Sequence, residues 1–266
     1  KFTHLPIIPV RDQDGKWMKI ILALPGRTLH AKVWRCDVGR VPLYLMDTDI
    51  DDNLEVDRGI THQLYGGDLE NRLRQELLLG IGGIRMLDAL GIRPEIFHSN
   101  EGHSAFIGLE RLRKLIQHEK LTFQQALEVV RSSTLFTTHT PVPAGHDTFP
   151  EDLIRGYLSH YPDHLNLTWE QFMNLGRMVP DDTGEKFSMS DLAARLSQEI
   201  NGVSKIHGRV TRDMFSKLYP GFYPEELHIG HVTNGVHLPT WTAKSWLQLY
   251  AKEFGDGFFE DQSNTQ

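Results

Sequence analysis

The sequence predicts an α/β fold in which a Rossmann-like parallel sheet is flanked by helices. Three short apolar segments have the length and composition of buried strands, and a polar cluster follows each of them. These segments are Glu95–Phe97, Thr134–Phe136 and His228–Val232. Helical sequence follows the first polar cluster directly and the other two after a loop. In open α/β sheets, ligands bind beyond the carboxyl ends of the strands, so we expect the polar clusters to meet in one crevice.

The polar clusters contain the candidate functional side chains. They are Asn100–His103, Thr138–Pro141 and Thr233–Val236. His139, at a predicted strand end, could act as an acid, a base, a metal ligand or a partner of a sugar hydroxyl. A lone histidine is usually structural, but Asn100, Glu101 and His103 occupy the equivalent position one strand earlier, and His146 and Asp147 lie close by in sequence. This clustering favours a functional pocket.

Two kinds of site remain open on chemistry alone. Several histidines with glutamate and aspartate could hold a zinc or iron ion for hydrolysis. Metal motifs usually place ligands at helical or tight spacing, as in His-Glu-x-x-His, and that motif is absent from the sequence. Alternatively, asparagine, glutamate, histidine and threonine side chains at strand ends provide the directional donors and acceptors that a sugar pocket needs. Composition does not separate these two possibilities.

Charge and composition exclude several classes of function. The 266 residues carry a formal net charge of −7, which gives no electrostatic case for binding nucleic acid or an anionic membrane. No apolar segment approaches the roughly 20 residues that a membrane span requires. The single cysteine, Cys36, excludes an intramolecular disulfide and a cysteine-based metal cluster, and it fits a reducing compartment. We therefore expect a cytoplasmic protein.

Residues 1–60 are predicted to be a β-rich segment. Strands are expected at Met18–Leu24, His30–Cys36 and Val41–Met46, separated by glycine-containing turns. Asp47–Asn53 is acidic, but it lacks the glycine that a calcium loop of EF-hand type requires. We therefore interpret it as a solvated turn.

A long helix is predicted from Asp68, its N-cap, to Leu90, and Gly91 is expected to end it. Gly80–Gly83 lies inside this helical pattern, whereas a dinucleotide-binding loop lies between a strand and a helix. We therefore expect these glycines to allow close packing of the helix on the sheet.

The remaining sequence predicts further helices and completes the domain organisation. Helices are expected at about Ser104–Gln117, at Phe123–Ser132 with Thr122 as N-cap, over the amphipathic stretch Met189–Leu218 interrupted at Asn201–Gly202, and at Trp241–Glu253. Residues 61–253 are thus predicted to form a Rossmann-like α/β unit, followed by an irregular tail over residues 254–266.

Five motifs in register resemble the α-glucan (glycogen, starch, maltodextrin) phosphorylases. They are Arg72–Glu76 before an apolar helix, Phe97–His103, Phe136–Pro141, Ile200–His207 and Thr233–Val236. Their order and approximate spacing agree from about Leu64 to Trp241. The Asn-Glu-Gly-His form is similar to the short bacterial and archaeal branch of the family.

The resemblance implies one half of a two-domain glycosyltransferase of the B type, which transfers glucose from the non-reducing end of an α-1,4-glucan to phosphate with retention. It places His139, Glu101 and His103 in the catalytic cleft, with His139 at the glucose 6-hydroxyl and its main-chain carbonyl facing the sugar cation. A carbonyl dipole aimed at developing positive charge stabilises the transition state electrostatically. Further side chains are expected to bind substrate; they are Asn100, Thr138, Thr140, Arg72 and Asn234.

The resemblance also implies which parts of the enzyme lie outside this sequence. The family's pyridoxal phosphate cofactor is bound by a lysine in a second domain, which would begin beyond Trp241, so we expect no cofactor-binding residue and no metal ligand here. The glycine-rich turn that holds the substrate phosphate would precede position 1. The expected partners are an α-1,4-glucan or maltooligosaccharide, phosphate, the missing C-terminal domain and a second copy in a homodimer. We interpret the chain as an internal fragment of the N-terminal catalytic domain and expect it to be inactive alone.

The alternatives are a non-catalytic glucan-binding module that uses aromatic side chains such as those of Trp34, Tyr65, Trp169 and Trp241, and a metal-dependent hydrolase.

Overall fold

The N-terminal strands form an antiparallel sheet of their own, separate from the parallel sheet. The computed structural model describes residues 2–64 and 66–259. Its first sheet contains β1 (Ile8–Pro9), β2 (Lys19–Leu24), β3 (Arg27–Val38) and β4 (Val41–Asp47). The long strand β3 pairs with each of the other three. Residues of β2 are alternately exposed and buried, so one face of this sheet packs on the hydrophobic core.

A second, parallel sheet carries the polar clusters. Its strands lie in the order β10-β9-β6-β5, and every neighbouring pair is parallel. A short antiparallel pair, β7 and β8, lies outside it. The bounds are β5 (Phe97–Asn100), β6 (Thr134–Thr138), β7 (Thr148–Phe149), β8 (Phe187–Ser188), β9 (Glu199–Gly202) and β10 (Gly230–His231). The predicted α/β class with a parallel sheet and a β-rich start is therefore confirmed.

The observed bounds differ from the predicted ones, most clearly at the first and last predicted strands of the parallel sheet. The first begins at Phe97 rather than at Glu95, because its partner β6 begins at Thr134, directly opposite Phe97. Ile96 consequently stays 64% exposed. The last predicted strand shortens to β10, which pairs only with the end of β9.

The strand β9 was not expected, because the sequence around it predicted one interrupted amphipathic helix over Met189–Leu218. The prediction was wrong since Gln198 donates its main-chain N–H to the carbonyls of Arg131 and Thr134, which draws the chain into the sheet. Pairing with β6 on one side and β10 on the other then outweighs the local helical pattern.

Helices surround the parallel sheet and fill the connections between its strands. They are α1 (Glu55–Arg58), α2 (Leu69–Leu77), α3 (Gly83–Ala89), α4 (Phe106–Gln117), α5 (Phe123–Ser132), α6 (Glu151–Leu158), α7 (Tyr161–Leu165), α8 (Trp169–Asn174), α9 (Met189–Arg195), α10 (Lys205–Phe215), α11 (Leu238–Trp241) and α12 (Lys244–Phe254). The expected N-cap of α5 is confirmed, since Thr122 and Gln125 form a capping box. One hydrophobic core extends from β2 through β6 to Ile229 beside β10.

The predicted helix over Asp68–Leu90 is divided by a π-helical turn. Asp68 caps α2 by accepting the N–H of Asn71, and the π-helical turn over Leu78–Gly82 then leads into α3. Gly91 has a φ of +68°, which suits its predicted place after the helix.

The glycines of the turn allow close packing against two different elements. A Cβ on Gly80 would lie 2.5 Å from Cβ of Phe106 in α4, whereas a Cβ on Gly82 would meet Leu22 in β2 at 3.2 Å. The glycines therefore do allow close packing, but against the antiparallel sheet at Gly82 and against a helix at Gly80 rather than against the parallel sheet.

The end of the described chain contains α12 and a 3₁₀ turn over Asp256–Phe259. The expected tail beyond this turn lies outside the described residues. No helix in the described part of the chain is long and apolar enough to cross a membrane. The division into residues 1–60, 61–253 and 254–266 stays a prediction.

Gly80→Ala is expected to destabilise the protein by about 1–3 kcal/mol, because the new methyl group would overlap with Phe106. Gly83→Ala is the matched control, since nothing lies within 4 Å of its Cβ position and alanine favours helix. Urea unfolding of both variants measures the difference. Equal free energies of unfolding would contradict the close approach.

Candidate functional site

The register of the parallel sheet brings the first two polar clusters side by side. Asn100 lies opposite Thr137, and Thr138 lies opposite Gly202, so β5, β6 and β9 end at one edge. The third cluster joins this edge because the N–H of Asn234 donates to the carbonyl of Val203, just after β9. Residues that are far apart in sequence therefore converge, as predicted.

His139 is hydrogen-bonded to both Asn100 and Glu101. Nε2 of His139 lies 2.6 Å from Oδ1 of Asn100, and the main-chain N–H of His139 donates to Oε1 of Glu101. A carbonyl oxygen only accepts, so Nε2 carries the proton of the neutral ring and Nδ1 is left as an acceptor. The imidazole of His139 is exposed at the rim and is held in a defined orientation.

Glu101 adopts a backbone conformation that is rare outside glycine. Its φ of 67° and ψ of 171° lie in a region where a side chain is strained, at a cost of about 1–3 kcal/mol. Its N–H donates to the carbonyl of Thr137 at 2.9 Å, which continues the pairing of β5 with β6. Such strain persists only where the surrounding structure enforces it, and it is concentrated at functional sites.

A second group of ionisable side chains lies beside the rim and is centred on Arg72 in α2. Nη2 of Arg72 donates to Oδ2 of Asp147 at 2.8 Å, and its Nε lies 3.0 Å from Oε1 of the buried Glu76. Arg72, Glu76 and His103 also line one cavity of about 340 Å³. The predicted residues Arg72 and His103 are thus brought together next to His139 and Glu101.

The pKa values of Glu76 and Asp147 are shifted in opposite directions. Burial, followed by the hydrogen bond to Asp147 and its negative charge, raises the pKa of Glu76 to about 9 against the opposing effect of Arg72. Burial alone would raise the pKa of Asp147, but hydrogen bonds from Arg72 and Glu76 lower it overall. Glu76 is therefore a neutral acid near pH 7 and Asp147 is an anion.

His103 is neutral near pH 7 as well. Burial is the main cause that lowers its pKa, and the positive charge of Arg72 lowers it further, although Asp147 acts in the opposite direction. A neutral imidazole offers one donor and one acceptor, which suits hydroxyl groups.

The threonines and Asn234 occupy different positions. Thr138 is fully buried at the end of β6, and its hydroxyl has no hydrogen-bond partner within the described residues. The carbonyl of Thr140 accepts a hydrogen bond of 2.8 Å from Nε2 of His146. Asn234 is exposed at the rim. Thr140 therefore supports its neighbours, whereas Asn234 lies at the solvent-exposed surface of the rim.

Sequence reasoning missed three residues of this region as members of the site. Glu76 stands one helical turn after Arg72, and that spacing could have indicated it. Ser190, whose hydroxyl lies 2.7 Å from Nδ1 of His146, gives no local signal. His207 belongs to a motif that carried the resemblance, but its burial beside the rim appears only in the fold.

The geometry of the structure also bears on the metal-site and aromatic alternatives. The described residues contain no group of three or more histidine, cysteine, aspartate or glutamate side chains that could hold a metal ion. Trp34 and Trp169 donate their indole N–H groups to Asp47 and Glu151 within the packing. Trp241 is 79% exposed, and Tyr65 lies outside the described residues.

A family model described as carbohydrate phosphorylase matches residues 92–265. The chain belongs to the carbohydrate phosphorylase family. The match covers about two thirds of the chain and includes His103, His139 and Asn234, so the part of the chain that matches the family contains the rim residues.

Curated relatives extend the likeness over most of the chain. It is 46% identical over 254 residues to a glycogen phosphorylase of Mycobacterium tuberculosis, which covers 92% of this chain and 29% of the relative. It is 43% identical over 252 residues to a maltodextrin phosphorylase of Thermococcus litoralis, with 95% and 29% covered. A glycogen phosphorylase of Aquifex aeolicus is 36% identical over 256 residues, with 96% and 36% covered. The chain thus spans about a third of the length of these relatives.

The raised pKa of Glu76 predicts a pH-dependent stability. Between its ordinary pKa of 4.5 and about 9, the native state retains a proton that the unfolded chain has lost, so stability falls as the pH rises. The slope from this one group is at most about 1.4 kcal/mol per pH unit. Glu76→Gln is expected to flatten the dependence measured by urea unfolding between pH 5 and 9.

Glu95→Gln is the control, because it removes an exposed carboxyl group outside the site. If Glu76→Gln leaves the slope as steep as in the unmodified chain, then Glu76 does not retain its proton.

Proposed function

We propose that this chain supplies one wall of the active site of an α-1,4-glucan phosphorylase. This enzyme is a retaining glycosyltransferase that moves glucose from the non-reducing end of the glucan to inorganic phosphate and forms glucose 1-phosphate. The observation that carries the proposal is the bonded group of Asn100, Glu101 and His139 at the carboxyl edge of a sheet. The names of the relatives, glycogen and maltodextrin phosphorylase, support the substrate class.

His139 is the central substrate contact in this proposal. Because Asn100 accepts its Nε2 proton, Nδ1 remains available to accept a hydrogen bond from a glucose hydroxyl. Its main-chain carbonyl would stabilise the positive charge that develops on the sugar ring in the transition state. The N–H on the other side of the residue is fixed by Glu101, which keeps this segment preorganised.

Arg72 and His103 form the second part of the wall. The guanidinium of Arg72 is held by Asp147, and neutral His103 shares a cavity with it. His103 would bind sugar hydroxyls as a neutral donor and acceptor, while Arg72 would supply a fixed positive charge. Asn234 would add an amide from the neighbouring strand end, and Thr138 and Thr140 would support the segment around His139.

Pyridoxal phosphate, the cofactor expected for the whole enzyme, would be held outside this chain. The cofactor forms a Schiff base with a lysine, and none of the described lysines forms a hydrogen bond with the residues of the candidate site. We therefore assign no step through the cofactor to the described residues. We propose a cytoplasmic enzyme whose remaining chain supplies the opposite wall, and whose copies associate as a homodimer.

The test is phosphorolysis by the complete protein encoded by the reading frame that contains this chain. We expect glucose 1-phosphate from maltoheptaose and phosphate, and His139→Ala is expected to lower kcat/KM at least about tenfold, since it removes a hydrogen bond to the sugar. His118→Ala is the matched control, because His118 is exposed at the end of α4. Absence of phosphorolysis, or equal kcat/KM for the two variants, would refute the proposal.

The 266-residue chain alone is expected to form no glucose 1-phosphate in the same assay. Catalysis needs groups from both walls held in a defined geometry around the bond that breaks. The assay includes added pyridoxal phosphate, and the complete protein serves as the positive control. Turnover by the chain alone would show that these residues suffice.

A further inference from the structure

Glu101 directs its carboxylate towards the main chain of β6 rather than towards the open rim. Its N–H binds the carbonyl of Thr137, and its Oε1 accepts the N–H of His139, so it holds the chain on both sides of Thr138. The following residue, Gly102, packs closely against the main chain of Ser190, because a Cβ there would lie 2.9 Å from the main-chain nitrogen of Ser190. The strained backbone of Glu101 is enforced by these contacts.

His207 lies on the opposite side of the same segment. It stands in the first turn of α10, is only 8% exposed, and accepts the N–H of Val203 on Nδ1 at 3.2 Å. The neutral ring therefore carries its proton on Nε2. Nε2 is buried and has no hydrogen-bond partner within the described residues. A buried N–H of this kind is costly unless an acceptor is close.

The sheet register connects His207 to Glu101 through Thr138. Thr138 is paired with Gly202, and the ring of His207 lies against Gly202, with Nδ1 2.9 Å from the position of a Cβ there. Oγ1 of Thr138 and Oε2 of Glu101 are, like Nε2 of His207, buried and without a hydrogen-bond partner in the described chain. One donor, one hydroxyl and one carboxylate oxygen in this region thus lack a partner within the described residues.

The charged groups around His207 agree with this arrangement. Burial lowers its pKa most, the negative charge of Glu101 raises it, and His139 and His146 each lower it. His146 bonds Ser190 and the carbonyl of Thr140, so its own ring is already fixed. Glu101 is therefore the anion that His207 faces.

We propose that Glu101 and His207 are positioning residues that together fix the Thr138–His139 peptide. Glu101 holds the N–H of His139 through Oε1, and the N–H of His207 donates to Oε2 of Glu101, directly or through one water molecule that also reaches Oγ1 of Thr138. Glu101 then acts through His139 rather than on the substrate. The inference deepens the proposed function, on which the importance of His139 rests.

The experiment is NMR spectroscopy of the 266-residue chain labelled with nitrogen-15, without any sugar. A charge-assisted hydrogen bond moves the amide proton of His139 downfield, so Glu101→Gln is expected to move it upfield by several tenths of a ppm. The same variant is expected to lower the pKa of His207 further, because it removes the anion that raises it. Glu101→Asp, with a shorter side chain, is expected to restore the His207 pKa more than the His139 amide shift.

Glu119→Gln, in the exposed turn after α4, is the matched control and is expected to change neither signal. The amide signals of β2 and β3 report whether each variant keeps its fold. An unchanged His139 amide, or an unchanged His207 pKa, in a folded Glu101→Gln chain would overturn the inference. This readout is independent of phosphorolysis, so the positioning role of Glu101 and His207 and the proposed enzyme activity can fail separately.

Discussion

The candidate site depends on the parallel register that ends β5, β6 and β9 at one level. β6 lies between the other two, and its Thr137 hydroxyl donates to Asn201 at 2.9 Å while lying 2.7 Å from Nε2 of His98. This hydrogen-bonded link crosses all three strands just before they end. A shift of one residue would turn the side chains of a strand to its other face and separate Glu101 from His139. The register therefore decides which polar groups meet.

The protonation states of the buried side chains determine how charge is balanced in the site. Arg72 lies between an anionic Asp147 and a neutral Glu76, so its positive charge is matched without leaving a second buried anion. Unmatched buried charge would be strongly destabilising. His103 and His207 are neutral for the same reason, since burial lowers the pKa of each. A site whose side chains have fixed protonation states, and so fixed hydrogen-bond donors and acceptors, suits the neutral hydroxyl groups of a sugar.

The sequence predicted the features that depend on local pattern. Strand, polar turn and helix recur, and this pattern was enough to place Asn100, Glu101 and His139 at one edge of a parallel sheet. It could not predict β9, whose four residues contain one large apolar side chain, Ile200, and become a strand only through pairing on both sides. Nor could it predict the contact between Arg72 and Asp147 across 75 residues, because only the tertiary fold brings them together. The positive φ of Glu101 was equally invisible, since glutamate gives no local reason to adopt it.

The most direct measurement maps maltoheptaose binding onto the labelled chain by NMR spectroscopy. If the carboxyl edge of the sheet is a glucan site, then added sugar shifts the amide signals of Asn100–His103 and Thr138–Thr140. The amide signals of Phe97 and Thr134, at the opposite edge, stay in place. Shifts that avoid the carboxyl edge, or no shifts at millimolar sugar, would contradict the account.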